Sequence, residues 1–408
     1  MKKRLQILTA DYISQFACIG SECEDTCCQG WKVDIDRQTY KKYMKLRDPE
    51  LKETMGKSIK RNKNGAGDTN YAYIQMDSNG SCPLLTKQGL CGIQLKHGEE
   101  YLSKVCSVYP KLNHVIDGRV ERSGVVSCPE VARKALLNPN PMEFNVVEEE
   151  VHEHHRPAIA LTLNSGDDEK SFFWDLRVFS IQLLQNRNYT IEDRLIILGM
   201  FYMECSEAIA EKNDDHIAQL IGDYSHAVDT GALNGTLREV PSVVGVQIEL
   251  LKLLTDIVLQ KKNKRYEECF NEFLMGLGFK RNESLSSITA NYKKAYKDYY
   301  AEYFNSREYI YENYLVNYVF SKLFPFSTKG SVFDSYLMLV LHYALIKMQL
   351  IGIAAFNKQL NDEIVIKLIQ SFSRNFEHSE GVLRGILKIL KETGYTQMSH
   401  LMILIKND

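Results

Sequence analysis

The run Phe16-Ala17-Cys18-Ile19-Gly20-Ser21-Glu22-Cys23-Glu24-Asp25-Thr26-Cys27-Cys28-Gln29-Gly30-Trp31-Lys32-Val33-Asp34-Ile35-Asp36 sets four cysteines close together near the start of a 408-residue chain. Four more follow at Cys82, Cys91, Cys106 and Cys128, and only Cys205 and Cys269 lie beyond them. Thiols this crowded have two common reasons, disulfides and metal. Disulfide frameworks staple small secreted domains that cannot build a core, and this chain is long enough to bury large ones. Its first residues, Met1 to Asp11, start basic, but the apolar run is short and interrupted by Gln6 and Asp11, a poor signal peptide. The most apolar stretch, Tyr336 to Phe356, is broken by His342, Lys347 and Gln349, so no membrane span is expected. The chain therefore reads as cytoplasmic, where thiols stay reduced, and metal is favoured over disulfides.

Working outward, the first 140 residues are loop-rich. Asp36 is placed to cap a short helix carrying Tyr40, Tyr43, Met44 and Leu46. Residues 57–70 are polar and Gly-rich and read as a loop; Tyr71 to Met76 suggests a short strand before the Asn79-Gly80 turn. Residues 99–108 look helical and stop at Pro110. Val115 to Val120 predicts a hairpin about Asp117-Gly118, and Pro129 opens a helix to about Leu137. Asn138-Pro139-Asn140-Pro141 is a boundary. Residues 144–163 suit an extended segment. Beyond Asp168 helical spacing dominates, with helices predicted from Phe173 to Leu184 and at about 191–211, 243–262, 265–277, 286–304, 308–323, 332–353, 361–373, 379–392 and 396–406. The fold class expected is mainly α: a cysteine-rich metal domain with short strands over 1–140, then a multi-helical substrate or partner domain over 141–408. Hydrophobic residues at 44% and charged residues at 25% suit a folded protein, and a net charge of −2 gives no basic field for nucleic acid.

No C-x-x-C knuckle is present, so ordinary zinc-finger spacing is missing. Adjacent thiols such as Cys27 and Cys28 diverge and serve poorly on one ion, but they can reach different irons, or one can ligate while the other packs. Gly and Pro beside the thiols suit tight turns with N–H groups facing cluster sulfurs. Together these favour an iron–sulfur cluster over zinc. Candidate ligands are Cys23, Cys27, Cys28, Cys82, Cys91 and Cys106, with Cys18 and Cys128 weaker; Cys205 and Cys269 lie on helical patterns and read as buried thiols. The C-x-x-x-C-x-x-C signature of radical S-adenosylmethionine enzymes fails, because Gly30 stands where its third cysteine belongs. No Gly-rich turn between strand and helix offers a nucleotide cradle; Gly65-Ala66-Gly67 lies in a polar loop. His152-Glu153-His154-His155 has no i, i+4 histidine pair and reads as a solvated connector.

The Phe16–Asp36 run resembles the flagellin lysine-N-methylase family. So do Cys82-Pro83-Leu84-Leu85 with Leu90-Cys91, Gly98 through Cys106, Tyr109-Pro110, and Ser127-Cys128-Pro129-Glu130. The likeness continues through Leu184-Gln185-Asn186-Arg187, Glu192 to Leu195, Glu312 to Phe320, and Phe324-Pro325-Phe326. A shorter cysteine module of small zinc- or iron-chelating proteins shares only part of this. The resemblance implies methyl transfer from S-adenosylmethionine to lysine ε-amines of flagellin, with a [4Fe-4S] cluster required. It departs at Tyr109-Pro110-Lys111, where the family commonly has Tyr-Pro-Arg, so a bidentate grip by arginine is lost here.

Methyl transfer to an amine uses aromatic walls and hydroxyls, and the helical part is rich in tyrosine between Tyr292 and Tyr318. Core packing is the ordinary reading of that spacing. Tyr314 and Glu312 are the catalytic candidates; Asn313 and Arg187 are the candidates for holding S-adenosylmethionine. A non-catalytic iron or zinc carrier, which leaves the helical residues without a task, and an iron–sulfur sensor are the alternatives.

Overall fold

The computed structural model describes residues 2–30, 32–63, 67–152, 159–163, 171–238, 263–279, 284–326, 330–377 and 381–406. The chain divides into two compact units, one of residues 1–131 with 144–160, the other of residues 132–143 with 161–408. The predicted helix at 243–262, the Gly65-Ala66 turn, Trp31 and the histidines after His152 lie outside the described residues.

Eight strands are described, all belonging to the first unit or its end: β1 (Lys2–Ala10), β2 (Val33–Ile35), β3 (Ile59–Arg61), β4 (Ala72–Ile74), β5 (Lys111–Ile116), β6 (Arg119–Gly124), β7 (Phe144–His152) and β8 (Ile159–Leu161). The larger sheet runs β7-β1-β6-β5-β8. The N-terminal residues that read only as a failed leader are an interior strand of it. β1 runs parallel to β6, with Ile7 opposite Val120, and antiparallel to β7, with Ile7 opposite Val147. The β5–β6 hairpin turns through Asp117 and Gly118, both at positive φ, the pair of left-handed residues that a two-residue turn needs to match strand twist.

The smaller sheet, β2-β4-β3, carries a core of Val33, Ile35, Ile59, Ala72 and Ile74. Against it pack the helix Arg37–Met44, whose N-terminus Asp36 caps by accepting from Gln38 N and Thr39 N, and the helix Pro49–Ser58, capped by Asp48. The loop expected over 57–70 is thus shorter than its composition suggests. Lys57 and Ser58 finish a helix, and Ile59 is buried and β-branched, which commits Ile59–Arg61 to the sheet. The segment expected to be helical over 99–108 contains a 3₁₀ turn, Glu99–Tyr101, and a short helix, Lys104–Val108.

The second unit is helical, and the chain as a whole is mainly α. Its centre is Val332–Asn357, a helix long and apolar enough to cross a membrane, whose apolar window is wholly buried in protein. The three polar residues that interrupt it all find partners. His342 Nδ1 lies 2.8 Å from the Tyr314 hydroxyl, Lys347 Nζ donates to Glu192 at 2.6 Å, and Gln349 Oε1 accepts from Tyr266 at 2.9 Å. The helix Asp214–Thr230, like the short Asn234–Arg238, has no counterpart among the predicted ones: it buries only Ile217, Leu220 and Val228, too thin a stripe to stand out. The segment predicted at 286–304 is continuous but contains a π-turn at Tyr296–Tyr300.

Glycine allows the helix Lys264–Gly276 to cross Val332–Asn357 closely. A Cβ on Gly276 would collide with the Gly352 carbonyl oxygen, and one on Gly352 would sit 2.8 Å from the Phe273 carbonyl oxygen. Gly276→Ala is therefore expected to lower stability by about 1–3 kcal/mol or more in urea denaturation. Gly222→Ala, in a helix interior with nothing within 4 Å of the new methyl, is expected to raise it by about 0.5–1 kcal/mol. Equal effects at both sites would refute the close crossing.

Candidate metal centre and buried carboxylate

The thiols of the first unit are brought together by backbone pairing. Cys82 N donates to Cys28 O at 2.8 Å, Gly30 N to Gly80 O at 2.9 Å, and Gly92 N to Leu84 O at 2.8 Å. Leu85 bridges to Cys91. Cys91 begins the helix Gly92–His97, where a side chain at position 92 would press on the Leu84 carbonyl at 2.9 Å. Cys106 lies in Lys104–Val108, its amide donating to Ser103 Oγ at 3.4 Å. Cys82, Cys91 and Cys106 are half-buried and pack on the core of the small sheet.

Electrostatics report the same neighbourhood. A hydrogen bond with Cys27 and burial push the Cys28 thiol strongly up, and the nearby Cys91 and Cys82 add to this. Burial pushes Cys82 up to about 11 and Cys106 to about 12, each also feeling Cys91 and Cys27. Cys23, raised chiefly by burial, stands near Cys27, and Cys128, raised by burial to about 12, stands near Cys23 and Cys27. Of the six candidate ligands, five thus share one neighbourhood, Cys27, Cys28, Cys82, Cys91 and Cys106, with Cys23 beside Cys27. Among the described residues no three His, Cys, Asp or Glu side chains form a ready metal-holding group. The thiols are neighbours without converging on one point. Burial and neighbouring thiols raise Cys28, Cys82 and Cys106, and a bound cation would oppose that by stabilising thiolates. The donor set fits a thiolate-held group. Cys205 and Cys269 are buried in helices, Cys269 with Ser371 at 3.8 Å as its hydrogen-bonded neighbour.

In the second unit the helix Tyr309–Ser321 brings Glu312, Asn313 and Tyr314 into the interior. Glu312 is 1% exposed and is gripped by two arginines. Arg187 offers Nε at 2.9 Å and Nη2 at 2.8 Å, and Arg194 offers Nη1 at 2.8 Å. Arg194 also donates to the carbonyls of Leu184 and Tyr189. Arg187 Nη1 reaches Pro139 O at 2.8 Å, and Asn313 Nδ2 reaches Asn138 O at 2.8 Å, so the same cluster fixes the 138–139 segment. Tyr314 donates to Glu377 Oε1 at 2.8 Å, and burial holds its hydroxyl protonated far above neutral pH. Arg194, His342 and Glu377 complete these networks. Arg194 sits beside the apolar run Leu195-Ile196-Ile197-Leu198, and a cation beside so apolar a run is the signal that could have marked it.

A groove of about 710 Å³ elsewhere in this unit is lined by Tyr299, Glu302, Tyr303, Arg307, Lys358 and Asp362, among others. Both tyrosine faces already carry a cation: Lys358 Nζ is 5.4 Å from the Tyr299 ring centre, and the Arg307 guanidinium 4.7 Å from that of Tyr303.

Comparison with known proteins joins these observations. The chain is 22% identical over 398 residues to the lysine-N-methylase of Salmonella typhimurium, covering 94% of each chain. The corresponding protein of Salmonella choleraesuis gives the same figures. It is 33% identical over 144 residues to the flagellar biosynthetic protein FliU of Salmonella muenchen, covering 34% of this chain and 82% of the relative. No solved structure matches. Residues 177–404, which include Arg187, Arg194 and the Glu312–Tyr314 triplet, match the FliB lysine N-methylase C-terminal domain. With more than half of its length inside that match, the chain belongs to the lysine N-methylase family and is a protein-lysine N-methyltransferase.

Proposed function

We propose that the protein methylates lysine ε-amines of flagellin in the cytoplasm, using S-adenosylmethionine as donor and a [4Fe-4S] cluster held in residues 1–140, with the helical residues 141–408 serving the protein substrate. The gathering of Cys27, Cys28, Cys82, Cys91 and Cys106 in one neighbourhood carries the cluster part of this reading. A cubane spreads its four thiolates more widely than a single ion does, which suits thiols that are neighbours without converging. The flagellar name of one relative and the methylase names of the others support the substrate.

Such a cluster, when bound, offers an iron able to take the amino and carboxylate groups of S-adenosylmethionine. The chain's own residues have separate tasks. A lysine ammonium cannot attack a methyl group until it loses its proton, and aromatic, desolvating surroundings favour the neutral amine. Glu312 is engaged by Arg187 and Arg194, and Tyr314 stays protonated. In this reading both act by positioning: Glu312 with Arg187 and Asn313 holds the 138–139 segment in place, and Tyr314 ties two helices through His342 and Glu377.

The test is preparation under nitrogen followed by iron and acid-labile sulfide analysis and transfer of labelled methyl to flagellin from the same organism. Iron, sulfide, a broad band near 400 nm and labelled lysine are expected. Stoichiometric zinc without sulfide would remove the cluster. Iron-replete protein that leaves flagellin unlabelled would favour a carrier or sensor.

A further inference from the structure

Tyr43 lies on the inner face of the helix Arg37–Met44 and is 1% exposed. It belongs to the apolar core against which Cys82, Cys91 and Cys106 pack. Its hydroxyl is buried and has no hydrogen-bonding partner among the described residues. The nearest carboxylate on its own helix, Asp36, is already committed: Oδ1 accepts from Gln38 N and Thr39 N, and Oδ2 from Thr39 Oγ1 at 2.7 Å. The groups that bear on the Tyr43 hydroxyl most after burial are the thiols of Cys106, Cys91 and Cys82, in that order.

A phenol hydroxyl buried without an acceptor costs about 1–3 kcal/mol, and folded proteins rarely tolerate one. Phenylalanine would fill the same core without that cost. A hydroxyl kept here points to an acceptor that these thiols hold. Protonated thiols are weak acceptors, whereas thiolates and cluster sulfides are strong ones.

We propose that the Tyr43 hydroxyl donates a hydrogen bond to a sulfur of the metal group held by Cys82, Cys91 and Cys106, as a positioning residue that retains the group and tunes it. The proposal rests on the thiol-bound cluster argued above. A donor aimed at cluster sulfur stabilises the more negative, reduced form, so it raises the reduction potential.

The test is Tyr43→Phe in the full chain, prepared under nitrogen beside the unsubstituted protein. Three measurements are compared: the rate at which a chelator bleaches the band near 400 nm, the reduction potential, and the thermal midpoint before and after iron removal. Bleaching is expected to quicken roughly ten-fold or more, the loss of one charge-assisted hydrogen bond. The potential is expected to fall. The iron-free variant is expected to melt no lower than iron-free wild type, since it loses no bond in that state. Unchanged bleaching and potential in iron-replete Tyr43→Phe would overturn the proposal. So would an equal loss of stability with and without iron, which would make the hydroxyl a structural group only. Wild type lacking iron and sulfide would overturn the cluster reading itself and this inference with it.

Discussion

Cys28→Ser is expected to strip the protein of iron and to cut methyl transfer to flagellin by at least about 100-fold. Cys28 stands among three other thiols: Cys27 is hydrogen-bonded to it, and Cys82 and Cys91 lie close. Its carbonyl also accepts from the Cys82 amide, so the loop carrying one candidate ligand is registered on the loop carrying another. Cys82→Ser is expected to match it. Serine keeps the shape and the local turn, so loss of iron in either variant reports ligation rather than unfolding. Cys269→Ser is the control, a buried helical thiol whose replacement should leave iron content and transfer near normal. Iron analysis with a labelled-methyl assay decides it. Full iron and activity in both Cys28→Ser and Cys82→Ser would place the cluster elsewhere.

Glu312→Ala is expected to destabilise the helical unit by about 3–5 kcal/mol, the cost of breaking a buried ion pair from one side. Arg194 is 3% exposed, and alanine at 312 leaves its guanidinium in the interior without its counter-charge. Arg187 is 40% exposed, so Arg187→Ala lets water solvate what remains and should cost only about 1–2 kcal/mol. Urea denaturation of both, with the double variant, separates the terms. A loss below about 1 kcal/mol for Glu312→Ala would mean that the two arginines find other acceptors, such as the Leu184 and Tyr189 carbonyls that Arg194 already reaches.

The crowding of thiols in the first unit was legible because eight of the ten cysteines fall within residues 1–128. The hairpin at Asp117-Gly118, the cap at Asp36 and the helix from Pro129 were legible because each rests on a local backbone need. The strand Lys2–Ala10 was not, since its two neighbours lie far along the chain and its own pattern mixes charge with apolar residues. The ion pairs of Glu312 were not legible for a related reason. A carboxylate beside Asn and Tyr suggests chemistry, but its partners Arg187 and Arg194 stand on other helices, and only their approach shows the charge to be engaged. The core helix Val332–Asn357 was foreseen, and its polar interruptions became intelligible once Glu192, Tyr266 and Tyr314 were seen to meet them.

The pairing of β1 with β6 and β7 also sets the timing of assembly on the ribosome. Lys2–Ala10 is made before its partners, residues 119–124 and 144–152. At about 5–20 residues per second, that wait lasts on the order of ten seconds. All eight N-terminal thiols emerge in that interval, before the larger sheet can close. In the proposed reading, thiols left waiting for iron and sulfide are open to oxidation. Slow, oxygen-poor expression should raise the metal-loaded fraction, and chains truncated before residue 144 should carry the cysteines without ever closing the sheet.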